Sequence, residues 1–277
     1  MRSRVVTACL CLLYARAMGE RTQYTPGTFC WSELSTTDLD GAKTFYASLF
    51  GWEAVDNTVP GDGVYSMQNI GGKPVAAIAP QPEQQRAAGV PALWNSYVSV
   101  ESADATAEKA KDLGASVHAP PFDVMDVGRM AVIQDPQGAF FMLWQPRAQI
   151  GAALVNAPGA VVWNELRSPD LDGSSAFYSA LFGWTIERRE GTSFGTYLGI
   201  KNAGANNGGI SELAPPGTPP HWLVYFGVDD ADEALAKVGE LGGTTLLGAT
   251  DIEIAKVAVV ADPQGAAFAI YAGMMEP

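Results

Sequence analysis

The chain has 277 residues, of which 47% are hydrophobic, 10% aromatic and 17% charged, with 30 Gly and 18 Pro; this balance excludes wholesale disorder, a collagen-like fibre and a disulfide-stapled miniprotein. Seventeen Lys and Arg against thirty Asp and Glu leave a net charge of −13, so neither nucleic acid nor an anionic membrane is expected as a partner. At roughly 100–200 residues per domain, the length fits two domains.

The charge is uneven along the chain. In residues 1–26, Arg2, Arg4, Arg16 and Arg21 face only Glu20, a local +3 against −16 in the rest. An apolar run over 5–15 lies behind two arginines, and Ala15-Arg16-Ala17 offers a small-x-small cleavage pattern, so a secretory signal is one reading. The run is too short to span a membrane. The other reading starts translation at Met18 and keeps the protein in the cytoplasm. Either way, residues 1–26 are expected to be a leader or a disordered N-terminus. Cys9 and Cys11 fall in this segment, which leaves Cys30 alone in the body with no partner for an internal disulfide.

Residues 28–35 alternate as a strand, with Trp31, Glu33 and Ser35 on one face. Residues 38–49 place Ala42, Phe45, Tyr46 and Leu49 on one helical stripe, with Asp38 or Asp40 as N-cap and Gly51 just past the end. The stretch 71–91 is rich in Pro and Gly and reads as a joint. Beyond it come a strand over 94–100, a helix over 102–113 ended by Gly114, and strands over 130–134 and 140–145. The last two flank Asp135-Pro136-Gln137-Gly138, a turn with Pro at its second position, where its fixed φ belongs. Residues 147–158, small and nearly uncharged, read as a linker.

Then the pattern begins again. Gly27, Trp31, Glu33, Asp38-Leu39-Asp40-Gly41, Phe45-Tyr46 and Leu49-Phe50-Gly51-Trp52 return 132 residues later, with fourteen of 26 aligned positions identical. Asp135-Pro136-Gln137-Gly138-Ala139 returns 127 residues later as Asp262-Pro263-Gln264-Gly265-Ala266. Two blocks repeated in the same order define a duplicated domain, over 27–146 and 159–273. The second copy offers a strand over 222–228, a helix over 230–241 and two strands around its own turn. Each copy divides into two strand–helix–strands modules, so the expected class is α+β. No glycine-rich phosphate loop appears.

These two repeated blocks resemble those of the vicinal oxygen chelate superfamily, which includes glyoxalase I, bleomycin-resistance proteins, fosfomycin-resistance enzymes and extradiol dioxygenases. The resemblance covers almost all of 27–273, and is strongest to two-domain proteins labelled glyoxalase-like or hydroxylase. It implies four βαβββ modules forming two open barrels, each around one pocket. It also implies where a divalent metal would be held: the first-strand position falls on Trp31 and Trp163, the second on Asn95 and Leu223, and the last-strand position on Met142 and Ala269. Tryptophan cannot ligate, and Asn95 is at best a weak donor, whereas Zn, Fe or Ni needs several imidazole or carboxylate ligands. His118 lies in a loop, and His221 opens its strand without partners. No metal and no other cofactor is therefore expected.

Glu33 and Glu165 share a strand face with the tryptophans two residues before them. Walled by apolar groups, such a carboxyl would have a raised pKa suited to general acid or base work. The alternative is that Arg129 or Lys256 pairs with it and braces the barrel. Arg129 and Lys256 could also receive an anionic or carbonyl oxygen, and Cys30 reads as a buried hydrophobe. The interior is aromatic: Trp31, Tyr65, Trp94, Tyr97, Phe140 and Trp144 are matched by Trp163, Tyr197, Trp222, Tyr225, Phe268 and Tyr271. Glu33 and Glu165 are thus the catalytic candidates. Trp31, Trp163, Trp94, Asn95, Met142 and Trp144 are candidates for ligand contact, as are Arg129, His221, Trp222, Lys256 and Tyr271. The expected function is binding of a small apolar or aromatic metabolite in barrels without metal. The alternatives are a metal-independent lyase, isomerase, cyclase or hydroxylase-like enzyme with a glutamate base, and a metal-dependent glyoxalase-type lyase. The sequence leaves the oligomeric state open.

Overall fold

The computed structural model describes residues 19–275 apart from 60–62, 193–194, 214 and 216; the apolar run read as a possible signal lies outside them. The first copy forms one eight-stranded sheet, ordered β2-β3-β4-β1-β5-β8-β7-β6. Its strands are β1 (Phe29–Thr36), β2 (Glu53–Val59), β3 (Gly63–Ile70), β4 (Lys73–Pro80), β5 (Leu93–Ser99), β6 (Ser116–Val124), β7 (Gly128–Gln134) and β8 (Phe140–Pro146). The second copy repeats the order as β10-β11-β12-β9-β13-β16-β15-β14. Here β9 (Val161–Ser168), β10 (Thr185–Thr192), β11 (Gly195–Asn202) and β12 (Ala205–Glu212) precede β13 (His221–Gly227), β14 (Thr244–Ile252), β15 (Ala255–Ala261) and β16 (Ala267–Gly273). Each module gives four strands. Its first strand runs parallel to its own last strand and antiparallel to the first strand of the neighbouring module. The α+β class and the paired-module topology are those that the resemblance implies.

The helices follow from their ends. In α1 (Leu39–Phe50) the Asp38 carboxylate accepts from the Gly41 N–H at 3.0 Å, and Gly51 closes the helix at φ +72°. The structure thus selects Asp38, not Asp40, as the cap: one extended residue must precede the first turn for its side chain to reach back. Asp170 and Gly183 repeat this at α4 (Leu171–Phe182). Ser102 caps α3 (Ala103–Asp112) and Asp230 caps α5 (Ala231–Glu240). Asp170→Ala is expected to lower stability by about 1 kcal/mol, read from the urea midpoint; an unmoved midpoint would deny the cap any role.

The joint read over 71–91 is corrected. It holds β4, which pairs with β1 through Glu33–Ala77 and Leu34–Ile78, and a short helix α2 (Glu83–Ala87). Proline at both ends and alanine in the middle give β4 little strand signature, and its parallel pairing with β1 supplies what propensity does not. Residues 19–26, grouped by sequence with the leader, are also ordered. Arg21 N–H donates to the Ala153 carbonyl at 2.9 Å, and Tyr24 Oη donates to the Ala152 carbonyl at 2.7 Å. The linker is strapped to β1 as well: Ala152 N–H bonds the Cys30 carbonyl at 2.8 Å. Gly151, at φ +114°, lies so close to that carbonyl that a Cβ would collide with it.

Strand alternation divides each sheet into two faces. The helix-bearing backs of the two sheets meet and share two cores. One joins Leu34, Phe45, Tyr46, Trp52 and Trp94 of the first copy to Val224, Phe226, Val238 and Phe268 of the second. The other joins Val98, Phe141 and Leu143 to Leu166, Tyr178, Trp184 and Trp222. The repeated blocks meet here, each across the boundary. Tyr46 Oη donates to Asp262 Oδ2 at 3.0 Å, and Tyr178 Oη to Asp135 Oδ2 at 2.9 Å. Trp52 Nε1 donates to the Gly159 carbonyl at 2.8 Å, and Trp184 Nε1 to that of Gly27 at 2.7 Å. The other face of each sheet forms a separate hollow with its own apolar lining. Among the described residues no helix is long and apolar enough to cross a membrane.

Candidate functional site in the two hollows

In the first hollow, β1 brings Trp31 opposite Tyr97 and Glu33 opposite Asn95, while β5 and β8 set Tyr97 beside Met142. The Trp31 Nε1–H donates to Tyr65 Oη at 3.0 Å. With its oxygen so engaged, the Tyr65 hydroxyl turns its own proton to Glu33. Tyr97 Oη donates to Glu33 Oε2 at 3.2 Å. An indole, two phenols and a carboxyl thus form one relay, backed by buried Trp31, Tyr97, Met142 and Trp144. Burial pushes the Glu33 pKa above the ordinary carboxylate value, and the two phenol hydrogen bonds only partly oppose this. Burial, reinforced by Glu33, holds both phenols well above 10, so at neutral pH they remain donors. Among the described residues no cation pairs with Glu33.

The second hollow keeps this relay and adds to it. Trp163 Nε1 donates to Tyr197 Oη at 2.8 Å, Tyr197 bonds Glu165, and Tyr225 Oη donates to Glu165 Oε2 at 3.1 Å. Gly209 stands where the first copy has Ala77, and a Cβ there would run into the Tyr197 phenol. Ser211 Oγ donates to Glu165 Oε1 at 2.8 Å, and Arg167 Nη2 lies 2.9 Å from the same oxygen. His221 lies opposite Arg167 in the sheet. Its pKa is lowered, chiefly by burial.

The structure gathers some predicted residues into the hollows and sends others elsewhere. Trp31, Glu33, Asn95, Met142 and Trp144 face the first; Trp163, Glu165, His221 and Tyr271 face the second. Trp94 and Trp222 do not. Opposite Leu34 and Leu166 in register, they lie in the shared cores and donate to Tyr46 and Tyr178, each at 3.0 Å. Asn95 and Trp94 are adjacent on one strand, so period-two alternation forbids both from lining one cavity.

Arg129 and Lys256 are likewise on the helix side. Arg129 pairs with Asp104 at 2.7 Å and Asp123 at 2.9 Å, and Lys256 with Asp232 at 2.8 Å. The brace read between these cations and Glu33 or Glu165 does not form. His118 bonds Gln134 at 2.9 Å outside both hollows. Cys30 is buried, and an irregular pairing between Phe29 and Trp31 brings it to the hollow side of β1 beside Trp31, where its Sγ approaches the Tyr97 carbonyl at 3.6 Å. Sequence reasoning passed over Arg167 and Ser211. Arg167 was within reach, being two residues beyond Glu165 on the same strand face, whereas Ser211 needed the β9–β12 register.

The positions that hold a metal in the superfamily do not fit one here. Trp31 and Trp163 offer at the first-strand position only an indole N–H, a hydrogen-bond donor already committed to a tyrosine, where a metal needs a lone pair. Among the described residues no group of three His, Cys, Asp or Glu side chains converges as a metal site would require.

Two curled sheets built from paired βαβββ modules, each enclosing a hollow, define the class. The chain belongs to the Glyoxalase/Bleomycin resistance protein/Dioxygenase superfamily: that family model matches residues 28–143, and a Glyoxalase-like domain model matches 161–271. It is 45% identical over 255 residues to "Putative glyoxylase CFP32" of Mycobacterium tuberculosis (strain CDC 1551 / Oshkosh), covering 91% of this chain and 97% of that protein. It is 33% identical over 262 residues to "Anthracycline biosynthesis protein DauV" of Streptomyces sp. (strain C5), covering 90% of this chain and 94% of that one. Among solved structures, the Mn(II)-bound glyoxalase from Novosphingobium aromaticivorans superposes with a TM-score of 0.64 at 15% identity, over 91% of this chain and 83% of that one. At that identity the likeness is one of fold.

Proposed function

We propose that the hollows bind a small, largely apolar, ring-bearing metabolite, with Trp31 and Trp163 as stacking walls and Glu33 and Glu165 as the groups that orient it. The observation that carries this reading is Glu33: a carboxyl set among aromatic rings that, among the described residues, has no counter-ion and is held by phenol donors. A purely structural carboxyl would be stabilised by a cation or by water, whereas one left facing an apolar hollow is available to a guest. The relative named for anthracycline biosynthesis is in keeping with a ring-bearing ligand. The test is titration of dialysed protein with a panel of aromatic metabolites. Saturable quenching of tryptophan fluorescence and a raised Tm are expected, both lost in Trp31→Ala/Trp163→Ala. A panel without response in the wild type would refute the reading.

The raised pKa of Glu33 favours a second reading, in which it is a general base for a metal-independent reaction on the same guest. Glu33→Gln is then expected to abolish turnover while leaving binding within a few-fold. Unchanged turnover in that variant would remove Glu33 from the chemistry.

A further inference from the structure

The two hollows differ at one corner. Arg167, Ser211 and His221 lie side by side on β9, β12 and β13, with Arg167 in register with both others. The same three positions of the first copy are Ser35, Ala79 and Leu93, again in register. Duplication kept the relay of indole, phenols and carboxyl in both copies and exchanged three adjacent positions together. The exchange sets a cation beside Glu165 in a hollow otherwise lined by aromatic and aliphatic side chains, in a chain whose net charge is −13.

That cation is only partly used by the protein. The Arg167 side chain is 15% exposed, and its Nη2 lies 2.9 Å from Glu165 Oε1 and 3.5 Å from Tyr225 Oη. Its Nε and Nη1 have no hydrogen-bond partner among the described residues. Glu165, meanwhile, receives hydrogen bonds from Ser211, Tyr225 and Tyr197 and has Arg167 as its counter-ion, and so needs no further donor. His221 contributes no second positive charge. Its Nδ1 faces the Pro219 carbonyl at 2.9 Å, which can only accept, so the proton sits on Nδ1; burial lowers the pKa and keeps the ring neutral. A guanidinium with open donors, screened from water beside the phenols of Tyr225 and Tyr197, has the chemistry that receives a carboxylate.

We infer that the second hollow binds an aromatic carboxylate, its anionic end on Arg167, while the first hollow, with Ser35 in that place, takes only uncharged guests. This rests on the reading of the hollows as ligand sites.

The test uses the full chain with 2-naphthoate and its neutral isostere 2-naphthamide, followed by calorimetric titration. One 2-naphthoate per chain is expected, and Arg167→Ser should weaken it at least tenfold, as the loss of a charge-assisted hydrogen bond requires. Binding of 2-naphthamide, which forfeits no charge pairing, should weaken by about threefold at most in Arg167→Ser. Because Arg167→Ser leaves Glu165 without its cation, a second variant, R167S/S211A/H221L, installs the set that the first copy already accommodates. It should still fold and unfold in one cooperative transition, as the first copy does with the same set, and lose 2-naphthoate to the same extent. Undiminished 2-naphthoate binding in the triple variant would overturn the inference, as would a wild type that binds 2-naphthamide but not 2-naphthoate. A wild type that binds neither would instead refute the ligand-site reading beneath it.

Discussion

Phe226→Ala is expected to lower the stability of the whole chain by about 3–5 kcal/mol, the cost typical of emptying a buried phenylalanine site, and to do so in one calorimetric transition. Phe226 belongs to β13 of the second copy, yet most of its ring partners belong to the first. Trp94 lies 5.0 Å away between centroids, Phe50 5.1 Å and Trp52 5.5 Å, with Phe268 of its own copy at 5.9 Å. The ring is fully buried. Truncation therefore opens a cavity in a core to which both sheets contribute, and edge-to-face contacts worth about 0.5–1.5 kcal/mol each are lost with it. Neither sheet covers its own helix-bearing back, so neither copy has a complete core without the other. Scanning calorimetry should show a single peak, shifted down by roughly 2–4 °C per kcal/mol in a chain of this size, with calorimetric and van't Hoff enthalpies in agreement. Two peaks, of which only one moved, would mean that the copies unfold separately and that the shared cores contribute little.

The same cross-domain cores show how much of the molecule the sequence displays. The duplication, the α+β class, the helix caps and the Trp-x-Glu strand face are all local patterns with fixed periods, and each appears in the structure as its period dictates. What the repeated residues do to one another is not local. Tyr46 and Asp262 are 216 residues apart, and Trp184 and Gly27 are 157 apart, yet each pair is hydrogen bonded. Nothing in a single strand or helix announces such a pair. The errors at Trp94, Trp222, Arg129 and Lys256 have a simpler origin: residue type suggested a binding role, while alternation along the strand had already put them on the back of the sheet. Arg167 is the converse, a residue whose strand position marked it and whose role required knowing that Ser211 and His221 flank it from neighbouring strands.

Glu33→Gln is expected to stabilise the folded chain at neutral pH and to leave its stability unchanged in acid. The folded state holds Glu33 at a raised pKa because burial disfavours its charge, while the unfolded chain returns it to the ordinary value of 4.5. Below 4.5 the carboxyl is protonated in both states, and the full stability of the fold is present. As the pH rises past 4.5 the unfolded state releases its proton first, so it binds fewer protons than the folded state. Stability then falls with pH until the folded carboxyl has also ionised. Each unit of elevation corresponds to about 1.4 kcal/mol. Glutamine keeps an oxygen to accept from Tyr65 and Tyr97 but has no charge to bury, so its unfolding free energy should lack this descent. Urea unfolding of both proteins between pH 4 and pH 8 measures it: the curves should meet at the acid end and separate upward, with the variant above. Parallel curves would mean that Glu33 is solvated well enough to ionise normally. A carboxyl that weakens its own fold, in a hollow where an amide of the same shape would not, is what a site kept for binding or proton transfer should show.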